Sequence, residues 1–205
     1  MKITVNLLTV MGLVVSACAT ASVGSLETVQ TVNLDQYLGK WHEMMRISNS
    51  FQDRERDGLG ACKNTIAEYA TLPKGRISVT NTCIRYDQGL ASVDKTATSD
   101  GVAEVARAIA RVVKNSGNSK LKVNFTGIAF LRWLGIGDGK YWIYALGDLN
   151  QQNQYAWALV GSPKKDFGWI LARDPNINPQ EIDKILKIAQ EKGFDIRLFE
   201  SHVKQ

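Results

Sequence analysis

The chain has 205 residues, of which 44% are hydrophobic and 22% are charged, and its formal net charge is +5. This composition is typical of a folded globular protein and excludes a disordered, collagenous or coiled-coil chain. The length favours a single domain. The 25 basic and 20 acidic residues are spread along the sequence without a long run of one sign. Nucleic-acid-binding proteins concentrate basic residues in one stripe, and the sequence has no such stripe, so we expect no nucleic-acid partner.

The N-terminal segment is typical of an exported protein. Lys2 is the only charge in the first 26 residues, and residues 3–17 form an apolar stretch of 15. A membrane-spanning helix needs about 20 such residues, so this stretch predicts the core of a signal peptide. It ends in Val15-Ser16-Ala17-Cys18. This motif resembles the bacterial lipobox, which implies cleavage before Cys18 and acylation of its thiol, for example with palmitate.

The residue that follows Cys18 bears on the compartment. In enteric-type sorting an Asp at this position resembles a signal for retention in the inner membrane, whereas residue 19 is Ala. We therefore expect an outer-membrane protein that is held by its lipid anchor, with its folded part facing the periplasm. Several acyl chains make such an anchor stable, because each buried methylene contributes about 0.8 kcal/mol. Residues 19–32 are expected to be a flexible tether. The alternative is an ordinary signal peptide that is cleaved after Ala19 or Ala21.

Between residues 40 and 173 the sequence predicts short strands separated by turn signals such as Pro73-Lys74-Gly75. Residues 120–125 alternate polar and apolar side chains, which is the pattern of a half-buried strand. Residues 102–113 are rich in Ala and Arg and suit a helix as well, but their context favours a strand. The eight predicted strands cover residues 41–47, 65–71, 76–84, 103–113, 120–126, 141–146, 155–161 and 167–173.

Cys62 and Cys83 remain as a pair once Cys18 is set aside, and an even pair in an exported chain favours a disulfide. They flank a predicted hairpin centred on Lys74, in which they are diagonal neighbours near the open end. A bridge therefore needs a twist or a bulge that brings their Cα atoms within about 7 Å. Two free buried thiols are the alternative. We expect no metal site, because neither His42 nor His202 lies at ligand spacing from the cysteines.

Near the C-terminus the period of the pattern changes to that of a helix. Asn178, Pro179 and Glu181 provide an N-cap, a proline at the first helical position and an acid at the third. An apolar face follows and Gly193 ends the helix; the face consists of Ile182, Ile185, Leu186 and Ala189. Residues 194–199 predict a last short strand. Together the elements predict an all-β protein, an eight-stranded antiparallel up-and-down barrel with one helix packed on its wall.

Several motifs resemble those of a known family. Gly39-Lys40-Trp41 resembles the Gly-x-Trp motif that opens the first strand of lipocalins. Residues 155–161 (YAWALVG), 169–175 (WILARDP) and 191–195 (EKGFD) resemble later parts of bacterial lipocalins. With the lipobox-like motif, the chain resembles the Blc-like group of outer-membrane lipoproteins. The implied organisation is a signal peptide at 1–17, an anchored tether at 18–32 and a lipocalin domain at 33–205.

The resemblance assigns structural roles to the motif residues. It implies that Trp41 closes the narrow end of the barrel and that Arg173 lies over the indole ring as a cation–π partner. Gly39 permits a tight entry into the first strand. His42 replaces the Tyr that is usual in the group, and strand alternation places it on the outer surface. Residues 87–118 are longer and richer in Ala and Arg than the group leads us to expect.

The interior of the barrel is the expected binding site, since an eight-stranded barrel holds one small ligand in a mainly apolar cavity. Leu171, Trp169 and Phe167 share the inward parity of Arg173. Strand alternation and the resemblance together predict the cavity residues Ala67, Val79, Asn81, Val123, Phe125, Tyr141, Ile143, Phe167 and Trp169. Plain core packing is the alternative for each of them.

As a set, apolar residues spread over five strands favour a hydrophobic cavity, which would fit a fatty acid or a lysophospholipid with its tail inside and its head near basic residues of the rim. We expect no cofactor and no catalytic residue, and a homodimer is left open. An envelope scaffold with a filled barrel is one alternative. A thiol-dependent lipocalin enzyme is another, but it needs Cys62 or Cys83 free and facing inward. No Gly-rich phosphate loop or serine elbow in the sequence suggests other chemistry.

Overall fold

The computed structural model describes residues 27–86, 101–125 and 139–203, without the side chain of Phe125. The lipobox-like motif with Cys18 and the expected acylation therefore lie outside the described residues. The same is true of residues 87–100, which form part of the segment that departs from the group.

Eight antiparallel strands form a closed barrel. Each strand pairs with the next, and β1 pairs with both β2 and β8, which closes the sheet. The strands are β1 Gly39–Ile47, β2 Lys63–Leu72, β3 Arg76–Arg85, β4 Val102–Val112, β5 Lys120–Phe125, β6 Gly139–Leu146, β7 Trp157–Gly161 and β8 Gly168–Ala172. All eight predicted strands are confirmed within a few residues. The ambiguous segment is β4, which pairs along its length with β3.

Within residues 27–86, 101–125 and 139–203, three helices accompany the barrel: α1 Leu34–Tyr37, α2 Ser50–Asp53 in the β1–β2 connection, and α3 Pro179–Glu191. The predicted start of α3 is confirmed, since Asn178 Oδ1 accepts a hydrogen bond of 2.8 Å from the Gln180 backbone. The helix buries Ile185 and Ala189 against the outer wall of the barrel. Among the described residues, no helix is long and apolar enough to cross a membrane.

The position predicted for the last strand is wrong. Phe194 is buried after the turn at Gly193, and the Asp195 side chain accepts a hydrogen bond from the Arg197 backbone. This cap starts the 3-10 turn Ile196–Leu198, so the chain cannot extend there. The strand, β9 Phe199–Ser201, forms later and pairs with the end of β1.

The end of the expected tether packs on the barrel. Val32 is 1% exposed and its backbone N–H donates to the Gly117 carbonyl at 2.7 Å. Val29 donates likewise to Ile143 at 3.1 Å. The expectation of a flexible tether is therefore wrong for residues 28–32, because apolar side chains in this segment complete the core at the closed end.

Cys62 and Cys83 form the predicted disulfide, with their Cα atoms 5.4 Å apart. The register between β2 and β3 shifts between Lys63 and Ile66. This irregularity is the bulge that diagonal neighbours need. The disulfide bond excludes the alternative of two free thiols.

The closed end has the predicted arrangement. Trp41 is fully buried, and the guanidinium carbon of Arg173 lies 3.6 Å from the centroid of its ring system. Arg173 also donates to the carbonyls of Tyr37 at 2.8 Å and Leu38 at 2.9 Å, and so ties α1 to the barrel. Gly39 has a φ of +97°, a conformation that favours glycine. The barrel floor therefore consists of Trp41, Arg173 and Gly39. The space inside the barrel lies above this floor.

Candidate functional site

A cavity of about 480 Å³ lies inside the barrel, between the closed end and the β1–β2 connection. Each of the eight barrel strands contributes at least one residue to its wall, and most of the wall is apolar. The volume is in the range of small-molecule sites, which are typically about 300–1,000 Å³ and mainly apolar. The barrel is therefore not filled by its own side chains.

Most of the predicted cavity residues lie on its wall. The structure places seven of the nine there: Ala67, Val79, Asn81, Val123, Tyr141, Phe167 and Trp169. Leu171, which shares their inward parity, lines the cavity as well. Strand alternation found these residues because an inward position is a local property of a strand.

One of the nine predicted residues differs, and a second is not tested by the structure. Ile143 points inward but does not line the cavity, because its fully buried side chain belongs to the core cluster around Trp41. Val29 and Val32 pack in the same cluster and fill that end of the barrel. The side chain of Phe125 lies outside the described residues. His42 does not line the cavity, and partial burial together with Lys40 lowers its pKa.

The β1–β2 connection forms part of the wall. Phe51 and Gln52 of α2 line the cavity. The guanidinium of Arg85, which is 1% exposed, holds this connection by donating to its backbone. The accepting carbonyls belong to Phe51, Gln52, Arg54 and Gly60. Sequence reasoning missed α2, since nothing in a loop sequence tells which of its side chains turn inward.

A polar cluster interrupts the apolar wall beneath this connection. Glu43 accepts from Arg46 at 2.6 Å and from Gln52 at 2.8 Å. The side-chain oxygen Oε1 of Gln52 accepts a hydrogen bond from the Trp169 indole N–H at 3.0 Å. Burial raises the pKa of Glu43, while Arg46 opposes this effect. Inward parity from Trp41 could have found Glu43, because the two residues are separated by one position.

A further polar group at the wall is the side-chain oxygen of Asn81, which has no partner among the described residues. Asn81 Oδ1 is buried and accepts no hydrogen bond from the described residues. A buried acceptor without a partner costs free energy of about 1–3 kcal/mol. A ligand that carries a donor at this level of the cavity would satisfy it.

Three tyrosine hydroxyls meet where the cavity joins the core. The hydroxyl oxygens of Tyr37 and Tyr141 are 2.5 Å apart, and Tyr69 donates to Tyr141 at 3.2 Å. Burial raises the pKa of Tyr69 to about 12 and raises those of Tyr37 and Tyr141 as well. The hydroxyls thus stay protonated near neutral pH. Two of these hydroxyls, those of Tyr69 and Tyr141, belong to residues that line the cavity.

Lys140 and Lys164 lie at the mouth and are exposed. In the described part of the chain neither lysine forms an ion pair, so both are available to an anionic group at the rim.

Cys62, Cys83 and Glu104 offer ligand atoms within 4.8 Å of one another. The two sulfurs are bonded to each other and cannot act as thiolates, so this group does not fit a metal ion.

The family profile of the lipocalin-like domain matches residues 32–204, which include the whole barrel and its cavity. The chain belongs to the lipocalin family. This lipocalin is 29% identical over 171 residues to "Outer membrane lipoprotein Blc" of Vibrio cholerae, covering 83% of this chain and 82% of the relative. The Blc protein of Escherichia coli K12 is 28% identical over 187 residues, which cover 91% and 88% of the two chains.

Solved structures agree on the fold. H1 crustacyanin of the lobster Homarus americanus superposes with a TM-score of 0.55 at 17% identity, covering 86% of this lipocalin and 81% of that chain. Lobster apocrustacyanin A1 gives a TM-score of 0.54 at 16% identity, with 84% and 80% covered. The predicted Blc-like lipocalin barrel is therefore confirmed.

Proposed function

We propose that this lipocalin binds a fatty acid or a lysophospholipid in its cavity and stores or transports it at the bacterial outer membrane. The observation that carries the proposal is the apolar cavity of about 480 Å³. Its volume and mainly apolar wall suit an acyl chain, whose burial provides the free energy of binding. Lys140 and Lys164 at the mouth suit the carboxylate or phosphate of the head group.

The proposed location rests on two observations. Val15-Ser16-Ala17-Cys18 follows an uncharged apolar stretch, as in a lipoprotein signal peptide. Two relatives that match over most of this chain carry the name outer membrane lipoprotein. In our proposal Cys18 is acylated and the barrel faces the periplasm.

We propose binding rather than catalysis. The thiol-dependent alternative needs a free thiolate, and the disulfide occupies both Cys62 and Cys83. Alkylation of the purified protein without a reductant tests this point. Labelling of either cysteine would reopen the enzyme hypothesis.

The ligand proposal predicts a dependence on chain length. Each methylene contributes about 0.8 kcal/mol when buried, so two further carbons should tighten binding up to about tenfold until the cavity is full. Calorimetric titration with saturated fatty acids of increasing length measures this slope, and monoacylglycerols of equal length provide a neutral control. Lys164→Gln should lower the affinity for the fatty acids and leave the affinity for the neutral monoacylglycerols unchanged.

Mass spectrometry of lipids that copurify with the protein provides a second measurement. A bound fatty acid or lysophospholipid supports the proposal. No copurified lipid together with an affinity independent of chain length would favour the envelope scaffold instead.

The anchor is tested by Cys18→Ser, because a serine hydroxyl cannot replace the thiol in acylation. We expect the variant to appear in the soluble periplasmic fraction, whereas the parent chain is in the outer membrane. Ala19→Ser is the matched control, since it changes a neighbouring residue and keeps the thiol. Membrane fractionation of Cys18→Ser equal to that of the parent would contradict the proposed lipid anchor.

A further inference from the structure

Four basic residues form one row across the outer face of the barrel. Arg76 of β3 lies directly opposite Arg111 of β4, Arg111 opposite Lys122 of β5, and Lys122 opposite Lys140 of β6. Neighbouring strands are about 4.8 Å apart, so the four Cα atoms of this basic row lie within about 15 Å. The expectation that the basic residues form no stripe is therefore wrong in the folded chain.

The basic row faces outward. The next residues along the four strands belong to the inner core cluster, so alternation directs the row to the outside: Ile77, Ala110, Leu121 and Tyr141. Arg111, Lys122 and Lys140 are exposed, and Arg76 is partly so.

No acidic residue compensates the row within the described segments. The adjacent outward row contains Ser78, Ile109 and Asn124, which are uncharged. On the other side Lys120 lies 3.9 Å from the ring centroid of Trp142 and adds a further positive charge. Like charges directly opposite each other on a sheet are destabilising. The basic row therefore lowers the stability of the barrel, and an anionic partner that binds it would offset this repulsion.

The course of the N-terminal segment indicates which partner faces this wall. Val29 donates its backbone N–H to Ile143 of β6, the strand that carries Lys140. Only eight residues lie between Cys18 and Glu27, where the described chain begins, and the path between the two Cα atoms spans at most about 30 Å. Glu27 itself pairs with Lys165, in the β7–β8 turn, at 3.4 Å. An acyl anchor at Cys18 therefore keeps the barrel close to a bilayer, which makes a membrane the nearest anionic partner for the basic row.

An apolar side chain on the same wall favours a bilayer over a nucleic acid. Val105 lies on β4 with the outward parity of Arg111 and is 43% exposed. Burial of an exposed valine among lipid head groups is favourable, whereas a phosphate backbone offers it no apolar contact.

We propose that the outer face of β3–β6 docks on an anionic phospholipid bilayer through the basic row. The choice of this partner rests on the lipid anchor of the proposed function. Lys140 belongs both to the basic row and to the cavity mouth. Docking thus places the mouth beside the membrane, where a lipid ligand enters or leaves.

The test removes three charges of the row and leaves Lys140, because that residue lies at the mouth. The variant is Arg76→Gln with Arg111→Gln and Lys122→Gln. Every protein in the assay also carries Cys18→Ser, so that acylation does not contribute. Sedimentation with vesicles of equal parts phosphatidylglycerol and phosphatidylcholine is compared with sedimentation in pure phosphatidylcholine.

We expect the triple variant to bind the anionic vesicles about ten- to a hundredfold more weakly at low salt. Binding to neutral vesicles, which reports any apolar contribution, should not change. Because like-charge contacts are removed, the melting temperature should be equal or higher. Chain-length-dependent ligand binding should also persist, which separates this proposal from that of the cavity.

A matched control removes three charges elsewhere. Lys184, Lys187 and Arg197 are exposed on α3 and the following 3-10 turn, and their replacement by Gln changes the net charge equally. This control should bind anionic vesicles as the parent does. An equal loss in both triple variants would overturn the proposal, since net charge alone would then explain it. A loss of binding to duplex DNA without a loss to vesicles would also overturn it.

Discussion

Replacing Trp41 by alanine is expected to lower the free energy of unfolding by about 3–5 kcal/mol. The side chain is fully buried, and its indole N–H donates to the Tyr37 carbonyl at 2.9 Å. Truncation leaves a cavity in the floor and removes the ring on which Arg173 stacks. In a domain of this size the melting temperature should fall by about 6–20 °C. Guanidinium unfolding followed by circular dichroism measures the effect.

Trp142→Ala is the matched control, because this tryptophan is only partly buried and lies on the outer side of β6 against Lys120. It loses less buried surface, so its destabilisation should be clearly smaller. Equal destabilisation by the two substitutions would contradict the assigned role of Trp41 in the barrel floor.

Replacing Trp169 by arginine is expected to weaken ligand binding at least about a hundredfold. Trp169 lines the cavity and stacks on Phe167, with an angle of 9° between the ring planes. Its cross-strand neighbour is Arg46, which is fully buried and already shares Glu43 and Asp53. The guanidinium introduced by Trp169→Arg would face the ligand tail without a carboxylate to pair with its charge. Titration with a long-chain fatty acid measures the loss.

Two further variants make the result specific. Trp169→Phe keeps an apolar ring, and Gln52 keeps its bond from Asn49 at 3.0 Å, so affinity should be largely retained. The ligand-induced change in tryptophan fluorescence should disappear, although four other tryptophans remain. Gln190→Arg adds the same charge on an exposed face of α3 and should bind normally. Normal affinity in a folded Trp169→Arg protein, together with an affinity that is independent of chain length, would contradict binding in the cavity and favour the scaffold alternative.

Much of the barrel could be predicted because its signals are local. Alternation of polar and apolar residues located the strands, and the cap at Asn178 located the start of α3. The segment that became β4 was ambiguous, since Ala and Arg suit both helix and strand. Pairing with β3 and β5 decided it, and this pairing depends on residues distant in sequence.

The candidate site could be predicted only in part. Parity along single strands found seven wall residues. It tells whether a side chain points into the barrel, but it does not tell at which level of the barrel the side chain lies. Parity alone therefore does not distinguish Ile143 from Tyr141, although Val29 and Val32 fill the barrel beside Ile143. Phe51 and Gln52 enter the wall because Arg85 fixes their backbone from another strand. No local pattern carries that information.

Periodicity, caps and motifs are local properties, so the sequence alone predicts the strands, the helix, a candidate pair of cysteines and the resemblance to bacterial lipocalins. The open volume inside the barrel, the loop that completes the cavity wall and the charges that meet on the outer face all depend on tertiary contacts. Arg76 and Arg111 are far apart in sequence and lie directly opposite each other across the sheet. Their proximity depends on strand register and on closure of the barrel, which are properties of pairs of strands and not of any one segment.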